Sequence, residues 1–377
     1  MSIAVAKGNY SKCDGSGKID NSQKISKLTK KLGSEITSVR KSTLNELASL
    51  GEPGILAMID VLEDDVNFMY IHSEVIKTLS SMEEPAVQLI IESLDSESDA
   101  NIQWKLLEAL NAIGEPAIEP LLQMLGSKNP VERSNAARTF GLMSDKRAIE
   151  PLITLLASDS DCGPRGNAAE ALGKIGDEKA TDALIESLND TEAFVRRESA
   201  KALGKLKNKK AVDPLIKLLK DPAYKVRADA ATALKEIGDD RAVAPMIEVL
   251  DSRGGGWYWS ADFFIKAAIL NFKSIRTVEL LIEAFRSDNI DIKQPAAETV
   301  AKMGNIALKP LVQALEDEDI EVRYCAAKSL GLKGDKRAVK ALKRVAENEK
   351  EDCDVRGIAW LALKRVDENK NTLHIDV

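Results

Sequence analysis

"DKRAIEPLITLL" (145–156), "NKKAVDPLIKLL" (208–219), "DDRAVAPMIEVL" (239–250) and "DKRAVKALKRVA" (335–346) align with one another without a gap. Each is followed by a second block: "VRRESAKALGKL" (195–206) after a neighbouring copy, then "VRADAATALKEI" (226–237), "VRYCAAKSLGLK" (322–333) and "VRGIAWLALKRV" (355–366). A fixed period of about 31 residues is the signature of a repeat architecture. In the first block apolar residues recur at helical spacing, which predicts a helix, A. Pro120, Pro151, Pro214, Pro245 and Pro310 share one position in it, where a fixed φ suits a first helical turn. The second block predicts a helix B, with paired small residues such as Ala230 and Ala231 that let a neighbouring backbone come close. Gly176-Asp177, Gly238-Asp239 and Gly334-Asp335 read as a left-handed helix end followed by a capping residue.

Units start near residues 52, 84, 115, 145, 177, 208, 239, 276, 305 and 335, and one more occupies 24–51, where Leu32 precedes Arg40 as Leu219 precedes Arg227. Eleven helix pairs follow. One such pair cannot bury its apolar face alone, so the pairs must stack. The fold expected is all-α, a right-handed α-solenoid running over 21–367, with a flexible tail at 1–20, a loop insert at 252–260 and a C-terminal tail at 368–377.

In "GDDRAVAPMIEVLD" and "VRADAATALKEIG" the chain resembles the HEAT repeat, in the phycobilisome-lyase HEAT-like subtype. The resemblance covers about nine tenths of the chain. It implies an extended surface offered to another macromolecule, and it says little about which one.

Composition bounds the function. The net charge of −7 and pI near 5.3 disfavour a nucleic-acid binder, which needs a basic face. Charge is unevenly spread: residues 1–50 hold nine basic and four acidic side chains, residues 51–114 two and thirteen, so the second segment offers an acidic surface. Cys13, Cys162, Cys325 and Cys353 stand far apart, with neither a disulfide framework nor a zinc spacing. The N-terminus has too short an apolar run for a signal peptide, and no stretch approaches a membrane span. A soluble cytoplasmic protein is expected.

Asp190 with Arg196, Asp221 with Arg227 and Asp317 with Arg323 share a spacing of six. The Asp falls in the A–B turn and the Arg opens helix B, so the expected role is structural: an internal ladder like that of HEAT-like families, in which the Arg reaches the Asp of its own or an adjacent unit. Arg40, Arg133, Arg165 and Arg356 occupy the same slot and are not read as catalytic. His72 also falls there. Deoxyhypusine hydroxylase resembles this chain in its repeats, but its di-iron site requires His-Glu pairs, and here His72 precedes Ser73 and His374 precedes Ile375; that chemistry is excluded. "DGSGKID" (14–20) has Ile19 where a calcium loop needs glycine, and its "GSGK" lacks the upstream glycine of a P-loop. No catalytic residue, metal site or cofactor is assigned.

In HEAT-like solenoids the B helices line the concave wall. The two residues after each ladder position, among them Trp104-Lys105, Arg197-Glu198, Ile265-Lys266 and Tyr324-Cys325, form a mixed row with Trp104 and Tyr324 as aromatic anchors. HEAT-like DNA glycosylases use aromatics beside a strongly basic groove, which this chain lacks. In "RGGGWYWSADFF" (253–264), Leu250 precedes Phe264 by fourteen residues where other units allow eight to ten. On that count Phe264 takes the ladder slot, Phe263 and Phe264 fill the core, and a glycine-hinged insert offers Trp257, Tyr258 and Trp259 to a partner. The function expected is a non-enzymatic scaffold for another protein, contacted by Trp257, Tyr258, Trp259, Trp104, Tyr324 and Arg197; small molecules and membranes are disfavoured. A bilin-lyase-like subunit or chaperone of a chromophore-bearing protein is the alternative, and a glycosylase-type nucleic-acid binder a remote one.

Overall fold

The repeat punctuation folds as its residues dictate. Gly176, Gly238 and Gly334 have φ of 74, 71 and 67°, the left-handed end of a helix that glycine adopts without strain. Ser144 and Lys207 take the same place at 54 and 53°. The next residue then accepts a backbone N–H two positions on: Asp145 from Arg147 at 2.9 Å, Asn208 from Lys210 at 3.0 Å, Asp239 from Arg241 at 3.1 Å. A single 3-10 turn follows and leads into helix A, whose third residue is Pro151, Pro214, Pro245 or Pro310. Pro120 differs. Its helix, Glu115–Leu125, begins without the 3-10 lead, so the proline sits inside it at the sixth residue.

The computed structural model describes residues 21–64, 68–94, 100–250 and 261–372. Among them there are helices and no strand, and the helices alternate A and B. The chain divides into two compact units, Met1–Ile175 and Gly176–Val377. The first holds five pairs, from Asn21–Leu32 with Thr37–Ala48 to Ile149–Ser158 with Cys162–Ile175; the second holds six, from Thr181–Glu186 with Ala193–Leu206 to Val339–Ala346 with Cys353–Thr372. The eleven expected pairs are present. The last helix continues to Thr372, five residues beyond the expected end of the array. The expected tail at 1–20 and the insert at 252–260 lie outside the described residues.

Within each unit the core is aliphatic and continuous, built from Leu, Ile and Val of the A helices against Ala and Leu of the B helices. Neighbouring B helices meet backbone to backbone. A Cβ on Gly141 would stand 3.0 Å from Ala171 Cα, one on Gly204 2.8 Å from Ala233 Cα, and one on Gly331 2.7 Å from Ala362 Cα. These glycines lie eight residues after the ladder Arg, and they set how tightly successive pairs stack.

Four of the ladder arginines obey one rule. Arg196 Nη1 donates to the carbonyls of Asp190 (2.8 Å) and Thr191 (2.9 Å) in its own A–B turn, while Nε and Nη2 grip the carboxylate of Asp221 in the next pair (2.7 and 3.0 Å). Arg133 does the same with Ser127 and Lys128, then Asp159; Arg323 with Asp317 and Glu318, then Glu351; Arg40 with Ser34 and Glu35, then Glu74. Arg227 holds the carbonyls of Asp221 and Pro222. The Arg therefore reads its own Asp through the main chain and the next unit's acid through the side chain. The Asp side chain itself closes a turn, as Asp221 does on Ala223 N–H at 2.8 Å, rather than capping the amides of helix B. Asp317 is gripped from the previous pair by Arg286, because Lys293 occupies the ladder slot there and pairs with Glu321 at 2.8 Å.

The turn caps make a pH prediction. Hydrogen bonding to the Arg337 guanidinium holds the Asp335 carboxyl down at about 2, against about 3.9 in an unfolded chain. A depressed folded value means stability that is full above about pH 4 and lost as pH falls from there to about 2. Asp335→Asn keeps an acceptor for the turn but no charge. The Tm difference between wild type and Asp335→Asn is expected to be constant from pH 7 to about 5 and to shrink between pH 4 and 2; a difference that stays level to pH 2 would refute the pairing.

Candidate functional site

The B helices carry the residues expected at a binding surface, and the ladder gives their register. In Ala193–Leu206 the core stripe is Val195, Ser199, Ala202 and Leu203. In Ala261–Ile269 the buried residues are Ala261, Ile265, Ala268 and Ile269, the same spacing. Ala261 thus matches Val195, and the ladder slot belongs to Asp262, not Phe264. The sequence count erred by two because it spread the insert's length over the helix start. One consequence is a correction: Phe263 is not core. It is 50% exposed, in the wall position that follows the ladder, with its ring edge-on to Phe264 at 5.5 Å and 90°. Ile265, read from sequence as a wall residue, is buried.

Position one past the ladder is therefore Trp104, Phe263 and Tyr324 in three B helices. Trp104 is 43% exposed, and the guanidinium carbon of Arg138, on the next B helix of the first unit, lies 6.0 Å from its ring centroid. A cation over an indole face is attracted by the ring quadrupole. Among the described residues no carboxylate pairs with Arg138. Lys105, beside Trp104, turns inward instead: it is buried, and its ammonium donates to the carbonyl of Leu62 at 2.7 Å. Tyr324 is half-buried.

The charged members of the wall in the second unit satisfy one another. Arg197 grips Asp229 at 2.8 Å, Lys201 bonds Glu198 at 2.8 Å, Lys266 bonds Glu298 at 3.3 Å, and Gln294 bridges Glu298 and Lys328. Arg197, expected to reach a partner, is engaged within its own array. These wall charges are locally neutral, and Phe263 stands exposed beside them. Trp257, Tyr258 and Trp259 lie outside the described residues. Arg138 escaped the sequence reading because it sits five residues past its ladder Arg, beyond the two positions surveyed there.

Burial pushes the Cys325 thiol up to about 11, so it is protonated at neutral pH and inert; Cys162 and Cys353 are exposed free thiols. A cleft of about 320 Å³ beside Leu315 and Val345 is lined by Arg323, Arg344, Glu316 and Glu351, but those charges already pair, Arg323 with Glu351 and Arg344 with Glu316. Among the described residues the group with metal-ligand spacing is Asp352, Cys353 and Asp354, at an exposed helix start where Asp352 is committed to the N–H of Asp354 at 2.8 Å. No described helix is long and apolar enough to cross a membrane.

A family model for HEAT repeats matches residues 118–201, 188–256 and 308–372, together more than half of the chain. A HEAT repeat-containing taxis protein of Halobacterium salinarum is 28% identical over 176 residues, 45% of this chain and 40% of the relative. The phycocyanobilin lyase subunit alpha of a Picosynechococcus species is 40% identical over 73 residues, 17% of this chain and 27% of that protein. The chain thus spans less than half of either curated relative. Among solved structures, importin beta superposes over 92% of this chain and 55% of its own, with 12% identity and a TM-score of 0.55. Kap121p bound to RanGTP does so over 92% and 44%, with 13% identity and a TM-score of 0.56. These two likenesses concern the solenoid fold alone.

Proposed function

The chain belongs to the HEAT-repeat family, with repeats like those of the phycobilisome-lyase type, and from that membership we propose that it is a non-enzymatic cytoplasmic scaffold that binds another protein along its B-helix wall. The observation that carries the reading is the sorting of side chains on that wall. In the second unit the cations and anions of the wall pair with one another, while Trp104, with Arg138 over its ring, and Phe263 stand open at equivalent positions of their helices. Aromatic side chains in a desolvating, charge-neutral surround are the residues that dominate protein–protein binding energy. Paired lysines and arginines offer little to a phosphate backbone, which needs uncompensated positive charge. Trp257, Tyr258 and Trp259 extend the proposal from sequence alone, and the acidic segment 51–114 supplies a second contact region.

The test compares proteins captured by wild type with those captured by Trp104→Ala/Phe263→Ala, and separately by Trp257→Ala/Trp259→Ala. Truncating exposed wall aromatics is expected to lower affinity at least about tenfold while the unfolding free energy changes by less than about 1 kcal/mol. A captured partner retained by both variants at wild-type affinity would rule out the aromatic wall. The lyase-subunit relative favours one further reading, a role on a chromophore-bearing protein; an absorbance shift on mixing with a linear tetrapyrrole supports it, and an unchanged spectrum removes it.

A further inference from the structure

The B helix Cys353–Thr372 departs from its predecessors on one face. Four residues past the ladder, six B helices carry alanine: Ala137, Ala169, Ala200, Ala231, Ala297 and Ala327, all fully buried. Eight past it stand the close-contact glycines, so positions four and eight together form the face that meets the following B helix. In Cys353–Thr372 these positions are Trp360 and Lys364. Trp360 is 52% exposed and Leu361, beside it, 57%. Trp360 and Lys364 leave no room for the Gly-to-Ala backbone contact that Gly141, Gly204 and Gly331 make, and where earlier B helices carry a large apolar residue in the same place, Leu44, Ile76 and Leu107, it is buried, whereas Trp360 is open. A face with a half-open Trp and Leu is instead shaped for an occupant that approaches at side-chain distance.

We propose that this occupant is a second copy of the chain, docked antiparallel through the same helix about a two-fold axis level with Ala359. The face is self-complementary in that arrangement. Residues equidistant from 359 oppose each other, which sets Leu361 of one copy against Gly357 of the other, where nothing lies within 4 Å of a notional Cβ. It sets Asp354 against Lys364. Both are exposed; Lys364 has an exposed neighbour in Glu368 at 3.8 Å, a weak hold in water. The two Trp360 rings come side by side at the axis. An isologous contact of this kind closes on itself as a dimer and does not propagate.

The experiment measures mass by sedimentation velocity and light scattering of the full chain over a wide concentration range. Wild type is expected to pass from monomer to dimer. Trp360→Asp is expected to weaken the dimer more than about 30-fold with an unchanged thermal melt of the monomer. Asp354→Lys and Lys364→Asp are each expected to raise the dimer Kd at least about tenfold, since each places like charges together twice. The charge-swapped double variant restores the opposition and is expected to recover wild-type dimerisation. A wild type that stays monomeric throughout, as a face covered by its own C-terminal residues would, overturns the proposal. So does a double variant no better than its singles, the outcome if the face serves a different protein.

Discussion

Gly204→Val is expected to destabilise the second unit by about 3 kcal/mol. The first added carbon already lands 2.8 Å from Ala233 Cα and 3.0 Å from Ala233 Cβ, and a helix backbone cannot yield as a flexible side chain can. Valine adds two methyl groups in the same space, so the pairs Thr181–Leu206 and Val212–Ile237 must separate along their whole contact. The modest gain in helix propensity over glycine, a few tenths of a kcal/mol, does not offset that. Denaturant midpoints measure the loss, and amide exchange should show it concentrated in the two helices that flank the contact. Exchange protection unchanged in Tyr224–Ile237 would contradict the close approach.

Arg196→Ala is expected to cost about 3–4 kcal/mol, the range for removing one member of a buried ion pair. The Asp221 side chain is only 6% exposed; without the guanidinium its carboxylate is left desolvated, and two turn carbonyls lose their donor. Asp221→Asn should cost less, because an amide oxygen can still accept from Arg196 and from Ala223 N–H. The double change Arg196→Ala/Asp221→Asn should cost less than the two single effects added, since the residues share one network. Additive losses in chemical denaturation would show that Arg196 acts through its own turn alone. The contact joins two adjacent pairs, and stability in such an array is a sum of repeat and neighbour terms, so the effect should remain local.

Much of the architecture was legible because each level of the sequence repeats. The period, the glycine-aspartate punctuation and the small residues of helix B each point to the same stacked pairs, and Leu32 before Arg40 was enough to reveal the first of them. The ladder was legible as residues but not as wiring. Spacing cannot show that Arg196 takes Asp190 by its carbonyl and Asp221 by its carboxylate, because both lie within reach of a guanidinium. Phe263 was misread for a different reason. Counting from Leu250 takes the ladder slot to be the second phenylalanine, whereas the burial of Ala261 and Ile265 places that slot two residues earlier, at Asp262. Charge on the wall was likewise visible only as composition: Arg197 looks available in sequence, and only geometry pairs it with Asp229.

The arginine ladder also bears on how such a chain can be inherited. Arg133, Arg196 and Arg323 each hold their own turn and the next unit's acid, at sequence distances of 26, 25 and 28 residues. Wiring confined to neighbours is indifferent to how many neighbours there are. Duplication or loss of one whole repeat by unequal recombination would leave each guanidinium facing a carboxylate, and the array could lengthen or shorten in a single genetic event. A cut inside a repeat would strand an arginine on one side and an acid on the other.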